Sequence, residues 1–249
     1  MIFSIFALML VSGTGPAYFQ AGNNLYEQGN YQEAIAQYDS ALVLYQASAI
    51  LYNRGNAYFK LGRVGLAIAD YLRARRLNPR DADINYNLEF ARQFRVDKNL
   101  NSEGILSRAI RVSLTIFSPP VIRLSAAVLF TLFSIALALY LSAYGRWLSH
   151  ITVRRPLLIS VLGIFLIFLY CLSSVLYWRE ATNPNLAVVV VPEAILRSGP
   201  GEEYKEIAAV HDGLEAKIIE RRPEWLLLQI PGGLGGWVQQ DALMQVFGK

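Results

Sequence analysis

Cysteine, histidine and charge are scarce in this sequence. A single cysteine, Cys171, excludes an internal disulfide and any zinc site assembled from several thiolates. It lies inside an apolar run, where a thiol behaves as a small hydrophobe. The two histidines, His150 and His211, fall in segments of different character and leave no paired imidazole ligands. No glycine-rich loop ends in Lys-Ser or Lys-Thr, so a phosphate-cradling loop is not expected, and Gly199-Pro200-Gly201 and the glycines of 232–236 read as turns. Glu202 and Glu203 are adjacent, so their side chains diverge rather than converge on one substrate. No nucleophile is accompanied by a base. The expectation is a protein that is not an enzyme, with no cofactor and no metal.

Hydrophobic residues make up 54% of the chain and charged residues 17%, a balance that requires a large apolar block. Residues 99–184 contain it: seven Lys/Arg stand there against two Asp/Glu, whereas 15–98 carry ten against eight and 185–249 six against nine. Arginines bordering apolar runs suit membrane flanks. A nucleic-acid footprint would need a basic face clustered on a folded domain, so no nucleic-acid partner is expected. Leu124 to Tyr144 is 21 residues without a charge and Leu157 to Trp178 is 22; at ~1.5 Å per residue each matches a bilayer core of ~30 Å. Tyr177 and Trp178 close the second run, as suits an interface.

We therefore expect transmembrane helices over 121–144 and 157–178. Between them, 145–156 is a short basic loop with Arg146, His150, Arg154 and Arg155, which favours the cytoplasmic side, although Arg108, Arg111 and Arg123 before the first span leave the charge balance nearly even. Ile2 to Val11 is an apolar run with small residues behind it, of signal-peptide length and too short to span. Residues 1–17 thus read as a signal peptide-like segment, although no basic leader precedes the run. Export would leave the parts on either side of the two spans outside the cytoplasm. Residues 99–120 form a juxtamembrane linker or interfacial helix. Ile105, Leu106, Ala109, Ile110 and Ser113 fall at helical spacing with Arg108 and Arg111 off the stripe, which fits an interfacial helix and a helix capping the preceding domain equally.

The most informative pattern is an echo at 33 residues. Gly22 returns as Gly55, Asn23 as Asn56, Gly29 as Gly62, Ala34 as Ala67, Ile35 as Ile68, Tyr38 as Tyr71 and Ala41 as Ala74. A period of this size with small residues at helix crossings marks stacked helical hairpins, which present a surface to another polypeptide. Gly29-x-Tyr31-x-x-Ala34-x-x-x-Tyr38-x-x-Ala41, and its echo from Tyr58 to Ala74 closed by Pro79, resemble the tetratricopeptide repeat (TPR). The units cover about 15–48 and 48–81, and Asp81 to Arg95 reads as a third helix covering the apolar end, so that 18–98 form the TPR region. Val64 and Gly65 stand where the family usually has an aromatic residue and an acid.

The resemblance implies a peptide-binding face on the first helix of each pair: Phe19, Asn23 and Tyr26, then Tyr52, Asn53, Asn56 and Phe59, with Tyr86 and Asn87 on the cap. Asn23 and Asn53 match asparagines that hold a terminal carboxylate in some family members. Phe19, Asp83 and Asn87 replace the cations of that clamp, which argues against it here. An aromatic and amide face remains, suited to the backbone of an extended peptide. The bland alternative is that these residues only tile the inner face.

Residues 185–247 change character. Leu186 to Val191, Ala216 to Ile219, Trp225 to Ile230 and Gly236 to Val238 are strand-like runs divided by turn signals such as Asp212-Gly213 and Pro231-Gly232-Gly233. Five short strands and a small barrel are expected. Leu196-Arg197-Ser198-Gly199-Pro200-Gly201-x-x-Tyr204, with Gly213, Trp225, Gly236-Trp237-Val238 and Leu243, resembles a bacterial SH3-type domain. Trp225 and Trp237 read as core packed across strands, the alternative being a platform that stacks on a peptide or sugar, and Arg197 and Tyr204 read as exposed contacts. The expected fold class is a multidomain membrane protein: all-α TPR helical repeats, two transmembrane helices and a C-terminal all-β SH3-like barrel.

This order of domains resembles the TPR/SH3 proteins of the Bacteroides aerotolerance operon, the BatE type. The resemblance implies a two-pass protein of the bacterial inner (cytoplasmic) membrane with both folded domains periplasmic. It further implies a protein-protein interaction scaffold accessory to an envelope stress or aerotolerance complex, with von Willebrand factor A-type membrane proteins and a MoxR-type ATPase as partners beside membrane lipid. The alternative is a cell-wall sensor whose SH3-type domain binds peptidoglycan.

Overall fold

The computed structural model describes residues 2–97, 105–143, 151–181 and 185–246. Arg146 and His150 of the expected basic loop lie outside the described residues. The chain forms two compact units: the repeats together with the C-terminal domain, and the apolar helices between them.

The repeats comprise α1 (Ile2–Glu27), α2 (Tyr31–Leu44), α3 (Ser48–Lys60), α4 (Val64–Leu77) and α5 (Ala82–Arg92). Helix α1 is continuous from the apolar run into the first repeat, with Pro16 inside it, and Gly15 already packs on Tyr45. The echoed small residues have two separate causes. A Cβ on Gly22 would lie 2.5 Å from the Tyr38 ring, and one on Gly55 2.7 Å from the Tyr71 ring, so each tyrosine fills the space that its glycine leaves open. Gly29 and Gly62 have open space around them but φ of 81° and 74°, the left-handed turn that ends α1 and α3. Asp81 caps α5 by accepting from the amides of Asp83 and Ile84.

The C-terminal domain has seven strands rather than the five expected: β1 (Leu186–Val189), β2 (Glu193–Arg197), β3 (Glu206–His211), β4 (Glu215–Arg221), β5 (Trp225–Gln229), β6 (Gly235–Gln239) and β7 (Leu243–Gln245). They pair antiparallel in the order β3-β2-β6-β5-β4-β1-β7. Three strands lie outside the four runs named from the sequence, β2, β3 and β7; β3 and β7 are at the sheet edges, where β3 is largely exposed and β7 is only three residues long, so neither carries a strong apolar alternation. The core holds Ala187, Val189, Leu196, Leu214, Ile218, Leu226, Leu228 and Val238.

Repeats and sheet are packed together rather than tethered. Val188 points away from the β core and joins Val246 against Ala67, Ile68, Tyr71, Leu72, Leu88 and Ala91. The two repeats differ accordingly: α2 buries four residues and α4 eight. Gly65, where the echo has Gln32, is one reason, since a Cβ there would lie 2.2 Å from Val189 O. The Gly65 N–H donates to both carboxylate oxygens of Asp212 at 3.1 Å, so a residue 147 positions away caps α4, whose own N-cap residue Arg63 makes no side-chain cap. Burial pushes the Asp212 carboxyl up, and its backbone hydrogen bonds oppose that in part. The third helix is thus not the end of the stack; the β domain covers it.

Charged contacts reinforce the seam. Arg92 holds Glu215 through two bonds, 2.8 Å from Nε and 2.7 Å from Nη2, and Arg95 reaches the same carboxylate at 3.2 Å. Burial, the largest single influence, would raise the Glu215 carboxyl, but the Arg92, Arg95 and Arg75 guanidinium groups together outweigh it and hold the group below the ordinary glutamate range. Arg73 donates to the backbone carbonyls of Gln245 (2.7 Å) and Val246 (3.1 Å), and the His211 N–H donates to Asp97 at 2.8 Å. Behind α4, Arg54 grips the buried Asp70 at 2.6 and 2.7 Å and also bonds Asp39, tying α2, α3 and α4 into one network.

The second unit contains α6 (Ile105–Leu114), α7 (Pro119–Ala143) and α8 (Ile151–Ala181). Pro119–Leu141 and Arg155–Glu180 are long and apolar enough to cross a membrane, with mean hydropathies of 2.3 and 2.5. Helix α8 begins five residues before Pro156, which lies inside it beyond the first turn, so one intrahelical N–H bond is missing there. Ile122, Cys171 and Trp178 pack together where α7 meets α8, and Phe130–Phe168 and Phe133–Phe165 pair farther along. Cys171 is buried here as a small hydrophobe.

Candidate functional site

Helices α1, α3 and α5 meet through a ladder of amides. Asn23 Oδ1 accepts from the Tyr38 hydroxyl at 3.0 Å and from Asn53 Nδ2 at 2.8 Å. One repeat later, Asn56 Oδ1 accepts from the Tyr71 hydroxyl at 2.7 Å and from Asn87 Nδ2 at 2.9 Å, and Asn87 Nδ2 also reaches the Tyr52 hydroxyl at 3.0 Å. Burial pushes the Tyr38 phenol up to about 12 and also raises Tyr71, so both remain donors at neutral pH. Of the nine residues expected on this face, five therefore belong to a network that joins helix to helix: Asn23, Tyr52, Asn53, Asn56 and Asn87. Each asparagine keeps part of its amide outside these bonds. Among the described residues, Asn23 Nδ2, Asn53 Oδ1, Asn56 Nδ2 and Asn87 Oδ1 have no partner, which leaves donors and acceptors of the kind a peptide backbone requires.

The other four residues are aromatic, and all are half-buried or exposed. Phe19 leans on Tyr38 with centroids 6.1 Å apart, and Tyr26 meets Tyr31 edge-on at 5.2 Å. Phe59 contacts Phe90 at 5.6 Å and Phe94 at 5.2 Å, while Tyr86 stacks on Phe90 at 6.2 Å with planes 9° apart. Phe90 and Phe94 were not anticipated. Their signal was present, because Tyr86, Phe90 and Phe94 recur every four residues, the spacing of one helix face, although α5 ends at Arg92 and Phe94 lies in the turn that follows. Tyr86 is 69% exposed and Phe94 55%, so this end of the face is an open aromatic patch with the amide ladder beside it.

On the β domain, Trp237 is buried, with the Arg222 guanidinium 5.1 Å over its ring, as a core tryptophan. Trp225 is only half-buried and lines a hollow of about 440 Å³ with Pro223, Glu224, Gln239, Gln240 and Asp241. Arg197 is engaged locally: Nη1 donates to the carbonyls of Glu202 and Tyr204, each at 3.0 Å, and Nη2 lies 3.2 Å from Glu206. It staples the loop that carries Tyr204, whose own ring is partly exposed and covers Gly199. Among the described residues no three of His, Cys, Asp and Glu are grouped to hold a metal ion.

Comparison with known families agrees with these two architectures. Residues 19–82 match the family model described as tetratricopeptide repeat, and residues 190–244 match that described as bacterial SH3 domain. No curated protein matches the chain. The chain thus carries a tetratricopeptide repeat region and a bacterial SH3 domain, joined directly through α4, α5, β1 and β7.

Proposed function

We propose that this chain is a two-pass membrane scaffold that holds a partner protein on its TPR face. The observation that carries the reading is the row of half-used asparagines beside the Phe59, Tyr86, Phe90 and Phe94 patch. Free amide edges hold the backbone of an extended segment, and aromatic rings bury its side chains with little loss of rotamer freedom. The test is capture of partner proteins from native membranes, with Asn56→Ala plus Tyr52→Ala against wild type. Loss of specific partners supports the proposal, and an unchanged set removes it. No catalytic step is assigned to the chain.

The anchor reading rests on α7 and α8 and on chain continuity. Repeats and SH3 domain bracket the two helices in sequence, yet they pack as one body. An even number of crossings between them meets that requirement, and two spans supply it. We place this body outside the cytoplasm of a bacterial inner membrane because the Ile2–Val11 run reads as an export signal. A reporter fused at residue 150 that is active only outside the cytoplasm would contradict this. The domain order further leads us to an accessory role in an envelope stress or aerotolerance complex, beside von Willebrand factor A-type membrane proteins and a MoxR-type ATPase.

The hollow at Trp225 favours a second reading, in which the SH3 domain binds peptidoglycan. Co-sedimentation of the detergent-solubilised chain with purified cell wall, lost in Trp225→Ala, would support the sensor. No retention would leave the scaffold.

A further inference from the structure

The TPR face contains one site built twice. Phe19, Asn23 and Tyr26 stand at i, i+4 and i+7 on α1, and Tyr52, Asn56 and Phe59 stand at the same spacing on α3. In each helix one amide therefore lies between two rings on a single face, and all six side chains are half-buried. The surroundings repeat as well. The Phe19 ring lies 6.1 Å from that of Tyr38 with planes 46° apart, and the Tyr52 ring 6.1 Å from that of Tyr71 at 47°. Each amide oxygen is occupied twice. Asn23 Oδ1 accepts from the Tyr38 hydroxyl at 3.0 Å and from Asn53 at 2.8 Å, and Asn56 Oδ1 accepts from the Tyr71 hydroxyl at 2.7 Å and from Asn87 at 2.9 Å. Each copy thus offers an incoming chain one donor, Nδ2 of Asn23 or Asn56, and one acceptor, Oδ1 of Asn53 or Asn87.

A ligand that fills both copies has to present the same face, with one carbonyl and one N–H, at the step that separates them. That step is one helix-to-helix spacing, about 8–10 Å. A β-strand returns a given face every second residue, at ~6.6 or ~13 Å, and so misses it. An α-helix comes close at ~10.5 Å over seven residues, but its carbonyls are already bonded within it. A polyproline II segment returns the same face every third residue, at ~9.3 Å, with its backbone carbonyls open. Rings on both sides of each amide suit pyrrolidine rings docking between them. Both copies are built of uncharged groups, which fits the interior of such a segment rather than a charged chain end.

We propose that the TPR face binds a proline-rich segment in the polyproline II conformation, in which every third residue is not proline. In each three-residue unit one carbonyl accepts from Asn23 or Asn56, and the N–H of the non-proline residue donates to Asn53 or Asn87. The inference rests on the peptide-binding reading of this face and adds the conformation, composition and period of the occupant.

The full chain in detergent is titrated into dye-labelled peptides with blocked ends, followed by fluorescence anisotropy. The peptides are four repeats of Pro-Pro-Ala, a run of twelve prolines, and six repeats of Pro-Ala. The Pro-Pro-Ala peptide should bind most tightly, and the others about fivefold more weakly for each N–H that no longer meets its acceptor. Asn23→Asp and Asn56→Asp keep an oxygen for the tyrosine hydroxyl and the neighbouring asparagine but remove the outward donor. Each should leave helical content unchanged and weaken Pro-Pro-Ala binding about fivefold, and the two effects should multiply. Equal binding of the three peptides, or unchanged binding in the double variant, overturns the proposal. Capture of native membrane partners with the same variants separates it from the reading beneath it. Partners lost from the double variant, with no peptide bound by the wild type, overturn the polyproline assignment alone. Partners retained by the double variant overturn the peptide-binding face itself.

Discussion

Replacing Gly65 by alanine distinguishes packed domains from tethered ones by the sign of its effect. On a repeat helix facing water, glycine to alanine stabilises by up to ~1 kcal/mol, because alanine loses less backbone entropy on folding. Here the new Cβ would lie 2.2 Å from Val189 O, 2.3 Å from Asp212 Oδ1 and 3.0 Å from Gly213 N. Two of those atoms are backbone, so no side-chain rotation relieves the contact, and the SH3 domain has to move off α4. Overpacking of this kind costs roughly 1–3 kcal/mol. Displacing Asp212 also weakens the cap on α4, about 1 kcal/mol more. After the helix-propensity gain the net loss is about 2 kcal/mol. Urea unfolding of the full chain in detergent, followed by circular dichroism, reads it. A stability equal to or above wild type would refute the packing of α4 on the SH3 domain.

Other outcomes follow from the same contacts. The Glu215 carboxyl is held below its ordinary value of 4.5, so its stabilising share is present above that pH and is lost as pH falls through the folded value; acid titration should loosen the seam, and Glu215→Gln should flatten the acid limb. Tyr38, raised from 10.0 to about 12, acts in the opposite range: its share is present below pH 10 and disappears as pH rises towards 12, visible as delayed phenolate absorbance in the folded protein. Arg54→Ala leaves Asp70, 1% exposed, with only its weaker Arg73 contact at 3.3 Å, and should cost about 3–5 kcal/mol in thermal or urea unfolding. Tyr71→Phe removes one hydroxyl bond to Asn56 and should cost about 1 kcal/mol without changing helical content.

The echo at 33 residues made the repeats legible because each echoed residue answers a local demand: glycine under a tyrosine ring, glycine in a left-handed turn, alanine at a crossing. The two apolar helices were legible from length and lack of charge. The seam was not read, although its traces were present. Leu186 to Val191 lacks the polar alternation of a strand with one wet face, and β1 is indeed covered on both. Gly65, Leu72 and Arg73, in place of Gln32, Asp39 and Ser40, mark where the second repeat departs from the first, and these positions face the SH3 domain or the network behind α4. Each departure is small by itself, and the partner surface lies more than 110 residues away, beyond the reach of local periodicity. The amide and aromatic face was largely named from the repeat pattern, whereas the bonds that the asparagines share across helices depend on relative helix placement. Phe90 and Phe94 were obscured by their place in a segment read only as a cap.

The central claim is that repeats and SH3 domain fold as one body, and a double-mutant cycle on Arg92 and Glu215 tests it most directly. Unfolding free energies of wild type, Arg92→Ala, Glu215→Ala and the double variant, all in the full chain, yield the coupling between groups 123 positions apart in sequence. Two bonds of 2.7–2.8 Å between partly buried charges predict a coupling of about 2 kcal/mol. Additive single effects, with a coupling indistinguishable from zero, would contradict the account.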